Sequence, residues 1–334
     1  MKISAQHVAI KLARPFSIAR GTRTHLDVVR VAIEHGETTV VGECTPYARY
    51  GESVKSVIEQ INQFSNKMQS LASPPSADEV KQLLQDEVHA GAARNGIDCA
   101  LWQLSALQAE STFPSPYFDV SSQIETAMTV SIDSPSAMAE QAKGYVELGA
   151  TLLKVKLDSE QIIERVAAVR GAAPEAKLIL DANEAWLGLP LESLFNELAG
   201  YQVAMIEQPV PKGEDECLRH IEHPIPLCAD ESCHVSADLP ALLGCYEMIN
   251  IKLDKTGGLT EAFNLERQAR QQGLSIMVGC MLGTSIAMKA ALPIATRAEV
   301  VDLDGPVLLG VPEINGLEYQ SGQILVPMAQ SATE

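Results

Sequence analysis

From about residue 126 to residue 302 the chain repeats one unit: a short apolar segment closing on a polar or small residue, then a polar turn and an amphipathic stretch. The segments are Ala127-Met128-Thr129-Val130, Leu152-Leu153-Lys154-Val155-Lys156, Leu178-Ile179-Leu180-Asp181, Ala204-Met205-Ile206-Glu207, Leu227-Cys228-Ala229-Asp230, Met248-Ile249-Asn250-Ile251-Lys252, Ile276-Met277-Val278-Gly279-Cys280 and Val300-Val301-Asp302. Taking their polar ends at 129, 156, 181, 207, 230, 252, 280 and 302, successive ends lie 22 to 28 residues apart. One strand, one helix and two short loops need about that length, the grammar of a parallel α/β fold. An open doubly wound sheet shares the period, but its site gathers at one switch point. Here chemically active residue types end nearly every segment, which favours a closed barrel. After Asp304, the run Gly305-Pro306-Val307-Leu308-Leu309-Gly310 does not open a standard helix, so a (β/α)7β modified TIM barrel is expected.

The N-terminal third reads differently. Alternating runs such as Val28-Val29-Arg30-Val31-Ala32-Ile33 and Thr39-Val40-Val41-Gly42-Glu43 predict antiparallel strands. Two helical stretches follow, the clearer from about Asp86 to Glu110, where Ile97, Ala100, Leu101 and Leu104 recur at helical spacing. Phe113-Pro114-Ser115-Pro116 then breaks helix and strand alike, because proline lacks the N–H and restricts its predecessor. The expected organisation is an α+β capping domain over residues 1–120, the barrel over 121–310, and a tail over 311–334 that returns to the cap. A length of 334 residues accommodates two domains.

Charge and composition exclude several classes. Lys plus Arg number 25 against 43 Asp plus Glu, a net charge of −18 with no basic patch, so nucleic acid is not an expected partner. No apolar run approaches the ~20 residues of a membrane helix, and Met1 to Phe16 lacks the parts of a signal peptide, so a cytoplasmic protein without membrane contact is expected. The seven cysteines include no C-x-x-C pair, which indicates reduced core thiols rather than disulfides or structural zinc.

Asp181, Glu207 and Asp230 end three consecutive segments and would converge at the barrel mouth. One such Asp could simply cap the following helix, but three in register would repel one another without a cation. An all-oxygen set with no histidine or cysteine in register suits Mg²⁺ rather than zinc. Lys154 and Lys156, two residues apart, point the same way from one strand. Lys252 ends the strand four positions further round, so Lys156 and Lys252 would face each other across the mouth with the acids on the arc between them. Like charges and burial disfavour ammonium and draw a lysine toward the range of a base. The chemistry indicated is removal of a proton α to a carboxylate by one lysine and its return by the other, with the cation stabilising the enediolate.

These motifs, K-V-K-L-D at Lys154, D-A-N-E at Asp181, E-Q-P at Glu207, A-D-E-S at Asp230 and N-I-K-L-D-K-T-G-G at Asn250, resemble the enolase superfamily, muconate-lactonizing subgroup, whose sites pair a Lys or His base with Mg²⁺. Over nearly the full length the chain is similar to the dipeptide epimerases of murein peptide breakdown, which act on L-Ala-D/L-Glu. The marks are P-F-S-I-A-R-G-T-R from Pro15, G-E-C-T-P-Y-A-R-Y-G-E-S from Gly42, G-A-A-R-N-G-I-D-C-A-L-W from Gly91, G-C-M-L-G-T-S from Gly279 and D-L-D-G-P from Asp302. The resemblance implies that Asp181, Glu207 and Asp230 bind Mg²⁺ and that Lys156 and Lys252 are the acid/base pair. It implies that Lys154 neutralises the substrate carboxylate, that Asp302 and Asp304 face the dipeptide's α-ammonium, and that Thr129 and the Cys280 loop touch substrate. The cap loop with Arg20 and Arg23 matches a specificity loop in which an arginine meets an acidic side chain; Arg23 is carried as the candidate. Gly257-Gly258 lacks the spacing and lysine of a phosphate loop and reads as the turn after Lys252. The expected partner is a small dipeptide, and assembly of identical chains is compatible with the sequence. The alternatives are an o-succinylbenzoate synthase or muconate-type cycloisomerase, which would not need D-L-D-G-P for an ammonium, and a catalytically inactive barrel, which would be expected to lose an acid or a lysine.

Overall fold

The computed structural model describes residues 1–71, 76–113, 119–310, 313 and 315–327. The cap opens with an antiparallel sheet of β1 (Lys2–Ile18), β2 (Gly21–His35) and β3 (Thr38–Cys44). Its alternation buries Val29, Val31 and Ile33 against helices, while Leu26 and Val28 face the other way and pack with Ile10, Leu12 and Leu309. The helices are α1 (Val54–Gln69), α2 (Ala77–Glu87) and α3 (Ala92–Gln108). The stretch expected to run unbroken from Asp86 is therefore two helices. The break lies at Gly91, whose φ of +150° disfavours other residues and whose absent Cβ leaves room for Glu52 Oε1, the acceptor for Ala92 N at 2.8 Å. A second glycine sets the sheet-to-helix distance: a Cβ on Gly42 of β3 would lie 2.1 Å from the Gly96 carbonyl oxygen of α3. The expected break at Pro114-Ser115-Pro116 lies outside the described residues.

After β4 (Gln123–Glu125), the barrel strands are β5 (Met128–Val130), β6 (Leu152–Lys156), β7 (Lys177–Asp181), β8 (Val203–Glu207), β9 (Leu227–Ala229), β10 (Met248–Ile251), β11 (Ser275–Gly279) and β12 (Val300–Asp302). Each pairs parallel with the next, and Ala127 N donating to Val301 O at 2.8 Å closes the ring between β5 and β12. Helices α4 (Pro135–Glu147), α5 (Ile162–Ala172) and α6 (Leu191–Ala199) follow the first three strands. The expectation of a helix after every strand fails after β8, where a 3-10 segment (Asp215–His220) replaces it, and after β9, where α7 (Leu239–Leu242) is one turn. Pro209, Pro211, Pro224 and Pro226 bracket the 3-10 segment and remove backbone donors a helix would use. The ring continues with α8 (Leu253–Thr256), α9 (Leu259–Gln271) and α10 (Ser285–Ala295), and after β12 there is only a 3-10 turn (Gly305–Leu308), as the (β/α)7β reading requires. Among the described residues no helix is long and apolar enough to cross a membrane.

The tail forms a hairpin of its own. Leu309 bridges Leu12 and Gly310 N donates to Lys11 O, so the chain touches the cap just before residue 311. The hairpin β13 (Glu318–Gln320) and β14 (Gln323–Leu325) then pairs with β4, at the end where strands enter the barrel, rather than with the cap. Backbone donors and acceptors left open on β4 account for that choice.

The barrel is filled in layers. Ala127, Leu152, Ile179, Met205, Cys228, Met248, Met277 and Val300, one from each strand, form an apolar plug. Two residues on, where the alternation brings side chains inward again, stand Thr129, Lys154, Asp181, Glu207, Asp230, Asn250, Gly279 and Asp302. The barrel thus changes from apolar to charged in one step.

Two substitutions test the packing. Gly42→Ala forces backbone against backbone and should destabilise by at least about 1–3 kcal/mol. Gly144→Ala, in exposed α4 with nothing within 4 Å of its would-be Cβ, should stabilise by about 0.5–1 kcal/mol. Thermal melts of the two should move in opposite directions; equal stability of Gly42→Ala and wild type would contradict the close approach.

Candidate functional site

Asp181, Glu207 and Asp230 end β7 and β8 and follow β9, each at most 1% exposed. Burying carboxylates without partners is prohibitive, and here lysines supply the partners. Lys154 Nζ lies 3.1 Å from Asp181 Oδ2, 2.7 Å from Glu207 Oε2 and 2.7 Å from Asp302 Oδ2. One layer higher, Lys156 Nζ is 2.5 Å from Asp181 Oδ2 and Lys252 Nζ 2.6 Å from Asp230 Oδ2. The ammonium groups stand between the acids, so among the described residues no three His, Cys, Asp or Glu side chains close on one point as metal ligands.

Burial pushes Asp181 and Asp230 upward, but the lysines outweigh it and hold both below the ordinary carboxylate range. Glu207, buried and beside Asp181, is raised instead. Lys252 and Lys154 do not follow the expectation of a lowered pKa: burial favours the neutral amine of Lys252, but Asp230 and Glu207 outweigh it and raise the group well above its ordinary value. Lys154 is raised in the same way against its burial, chiefly by Asp302 and Glu207.

Above this layer lies a cavity of about 760 Å³, a volume that includes the solvent in its open mouth. Of the residues expected at the site, Thr129, Lys154, Lys156, Asp230, Lys252, Cys280, Asp302, Asp304 and Arg23 all line it, while Asp181 and Glu207 lie fully buried behind its wall. Asp304 Oδ2 accepts from Thr129 N at 2.8 Å, and burial together with Asp302 pushes its carboxyl up to about 7. Asp302 Oδ1 is buried with no hydrogen-bond partner among the described residues. Burial, with Asp302 and Asp304 nearby, pushes the Cys280 thiol well up.

The two cap-loop arginines separate. Arg20 is occupied, with Glu231 at 2.8 Å, Glu184 at 3.2 Å and the Tyr47 hydroxyl at 2.9 Å. Arg49, on a 3-10 turn (Ala48–Tyr50), grips Glu184 with two hydrogen bonds. Arg23 is exposed, its guanidinium 5.2 Å from the Tyr47 ring centroid, and has no ion-pair partner among the described residues.

Two family models cover most of the chain: "Mandelate racemase / muconate lactonizing enzyme, N-terminal domain" over residues 1–113 and "Enolase C-terminal domain-like" over residues 137–329. The chain belongs to the mandelate racemase/muconate lactonizing enzyme family. It is 46% identical to the L-Ala-D/L-Glu epimerase of Escherichia coli K12 over 94% of this chain and 96% of that one. It is 43% identical to an N-acetyl-D-glutamate racemase of Pseudoalteromonas, over 84% and 87% of the two chains. The dipeptide epimerase of Enterococcus faecalis V583, solved with Mg and L-Leu-L-Tyr, superposes with a TM-score of 0.89 at 30% identity over 98% and 97% of the chains.

Several residues of this family member escaped sequence reasoning. Asn250 donates through Nδ2 to Glu207 Oε1 at 2.8 Å; its place two residues before Lys252 marked it as inward-facing. Gln208, at φ +38°, accepts through Oε1 from Asp230 N and Ser232 N, and nothing in its local sequence signals that. Asp254 joins cap to barrel, its Oδ1 accepting from Thr45 N at 3.0 Å and Asn95 Nδ2 at 2.8 Å.

Burial pushes Asp254 from 3.8 up to about 7 against those hydrogen bonds. The folded state then holds this proton more tightly than the unfolded chain, so its contribution to stability is full at acid pH and lost as pH rises through about 7. Asp254→Asn keeps the accepting oxygen and removes the titration. Melting temperatures from pH 4 to pH 8 should show the variant gaining on wild type as pH rises; a constant difference would contradict the assignment.

Proposed function

We propose that this chain is a Mg²⁺-dependent epimerase that interconverts L-Ala-D-Glu and L-Ala-L-Glu, or close dipeptides, by moving the α-proton of the C-terminal residue between Lys156 and Lys252. One observation carries the reading: two inward lysines, on β6 and at the end of β10 four strands away in a ring of eight, line one cavity with acids on the arc between them. Groups so placed address opposite faces of one carbon, which is what inversion of configuration requires.

The donor set fits a hard divalent cation. Three carboxylates from neighbouring strands offer only oxygen, and buried Glu207 Oε2 has no aligned hydrogen-bond donor although Lys154 Nζ lies 2.7 Å away. Asp181, Glu207 and Asp230 would hold the ion, which when bound supplies positive charge beside the substrate carboxylate as the α-carbon is deprotonated.

The chain's own groups do the rest. One lysine, as the neutral amine, takes the α-proton as the C–H bond breaks, and the other, as the ammonium, delivers a proton to the opposite face as the new C–H bond forms; a cation held by Glu207 and Asp230 would offset the carboxylate charge that raises Lys252. Lys154 adds positive charge at the carboxylate. Asp302 and Asp304 face the α-ammonium, a role supported by the unpartnered Asp302 Oδ1, with Thr129 fixing Asp304. Arg23 meets the glutamate side chain, a role supported by its open guanidinium beside Arg20, which is already paired. An o-succinylbenzoate synthase or cycloisomerase would leave both aspartates without a substrate ammonium to bind. The reading places the enzyme in the cytoplasm, in murein peptide breakdown.

The test is a dipeptide library incubated with Mg²⁺ in D₂O and read by mass gain and configuration. L-Ala-Glu isomers should gain one deuterium and epimerise; turnover of succinylbenzoate precursors instead would overturn the reading.

Each lysine should serve one configuration. Lys156→Ala should abolish epimerisation yet leave α-proton exchange for one isomer, and Lys252→Ala should leave exchange for the other. Full epimerisation by either variant would rule out two bases.

Substrate choice follows from charge. A charge-assisted contact contributes about 1.5–3 kcal/mol, so blocking the α-amine by acetylation should lower kcat/KM by roughly 10- to 100-fold, and Arg23→Ala should do so for Glu but not for an apolar C-terminal residue. Equal efficiency on free and acetylated L-Ala-L-Glu would instead align the chain with N-acyl substrates.

A further inference from the structure

Four lysines reach the charged end of the barrel, and three of them line the cavity. The fourth, Lys255 on α8, contributes nothing to its wall, and its side chain is fully buried. Its Nζ donates to Asp230 Oδ1 at 2.6 Å, to the Asp230 carbonyl at 2.6 Å and to the Asn250 carbonyl at 2.8 Å. An ammonium has three donors, and all three are spent.

That separates it from its neighbours. Lys252 holds the other oxygen, Asp230 Oδ2, and also faces the cavity, so it can exchange one partner for another. Lys255 has no donor left for a substrate. It grips one residue by side chain and main chain at once and ties that residue, just after β9, to the Asn250 carbonyl on β10. Asp230 is thereby fixed at its backbone and at one oxygen, with Oδ2 alone presented toward the cavity side.

We propose that Lys255 is a positioning residue that locks Asp230 in the orientation a divalent cation requires, so that the ligand stays in place when Lys252 leaves it for proton transfer. The proposal rests on the reading above of Asp230 as a cation ligand. The positive charge of Lys255 opposes a nearby cation, but groups that orient a ligand typically change metal affinity by about 10- to 100-fold, so orientation should win.

The test is calorimetric titration of Mg²⁺ into wild type, Lys255→Met, Asp230→Asn and the double variant. Lys255→Met should raise the Mg²⁺ Kd by about 10- to 100-fold, and kcat should return to near the wild-type value at saturating Mg²⁺. Because Lys255 acts through Asp230, the double variant should bind Mg²⁺ as Asp230→Asn does. That comparison also serves if Lys255→Met fails to fold, since the double variant removes the buried pair together. Unchanged or tighter Mg²⁺ binding by Lys255→Met would overturn the proposal, as would a kcat deficit that saturating Mg²⁺ does not repair, or a double variant weaker than Asp230→Asn. If Asp230→Asn itself binds Mg²⁺ as wild type does, the ligand reading fails, and the proposal with it.

Discussion

Charge buried on top of an apolar plug is the constraint around which this molecule is built. Asp181, Glu207, Asp230 and Asp302 occupy one inward layer of the barrel with Lys154 among them, and all five are at most 6% exposed. Such charges persist only when each has a partner within a few ångströms, because removing one member strands the other in a medium that cannot solvate it. The short distances from Lys154, Lys156, Lys252 and Lys255 to these acids are therefore conditions of the fold as well as of the chemistry. The oxygens that pair with the two proposed bases, Asp181 Oδ2 and Asp230 Oδ2, belong to the proposed cation ligands. Proton chemistry and cation binding thus draw on one set of carboxylates.

The cap is joined to the barrel by the same kind of interaction. Glu43 of β3 accepts from Thr284 N at 2.7 Å just ahead of α10, and Asp98 of α3 accepts from Thr260 N at 3.0 Å in the first turn of α9. Both cap carboxylates lie where helix dipoles favour negative charge. At the mouth the polarity reverses: Arg20 and Arg49 of the cap reach down to Glu231 and Glu184 of the barrel loops. Acids anchor the base of the cap and arginines hold its loops over the cavity, leaving Arg23 at the rim.

The barrel, its layer of acids and its apposed lysines were legible in the sequence because a strand has a period of two and a barrel alternates inside and outside without exception. That rule put Lys154 and Lys156 on one inward file and would have placed Asn250 on the file of Lys252. It mixed two layers, however, because a strand's last polar residue is not always its rim residue: Asp181 and Glu207 lie one layer below Lys156 and Lys252. What stayed hidden depends on contacts distant in the chain. Lys255 sits on a single helical turn with no periodicity, Asp254 meets residues more than 150 positions away, and Gln208 takes a left-handed turn no pattern announces. The seat of the tail hairpin on β4 was not legible because the free edge of β4 is a tertiary feature.

On this reading of the site, the acid layer is a divalent-cation site in addition to a set of ion pairs. Glu207 is the sharpest probe, since its buried Oε2 has no aligned hydrogen-bond donor among the described residues although Lys154 Nζ lies 2.7 Å away, and glutamine keeps the size of the side chain. Titration of Mg²⁺ into wild type and Glu207→Gln, each confirmed as folded by circular dichroism, should give one saturable site per chain in wild type and at least about a tenfold weaker one in the variant. Equal affinity in the two proteins, or no binding to wild type, would show that the acids serve only as ion-pair partners.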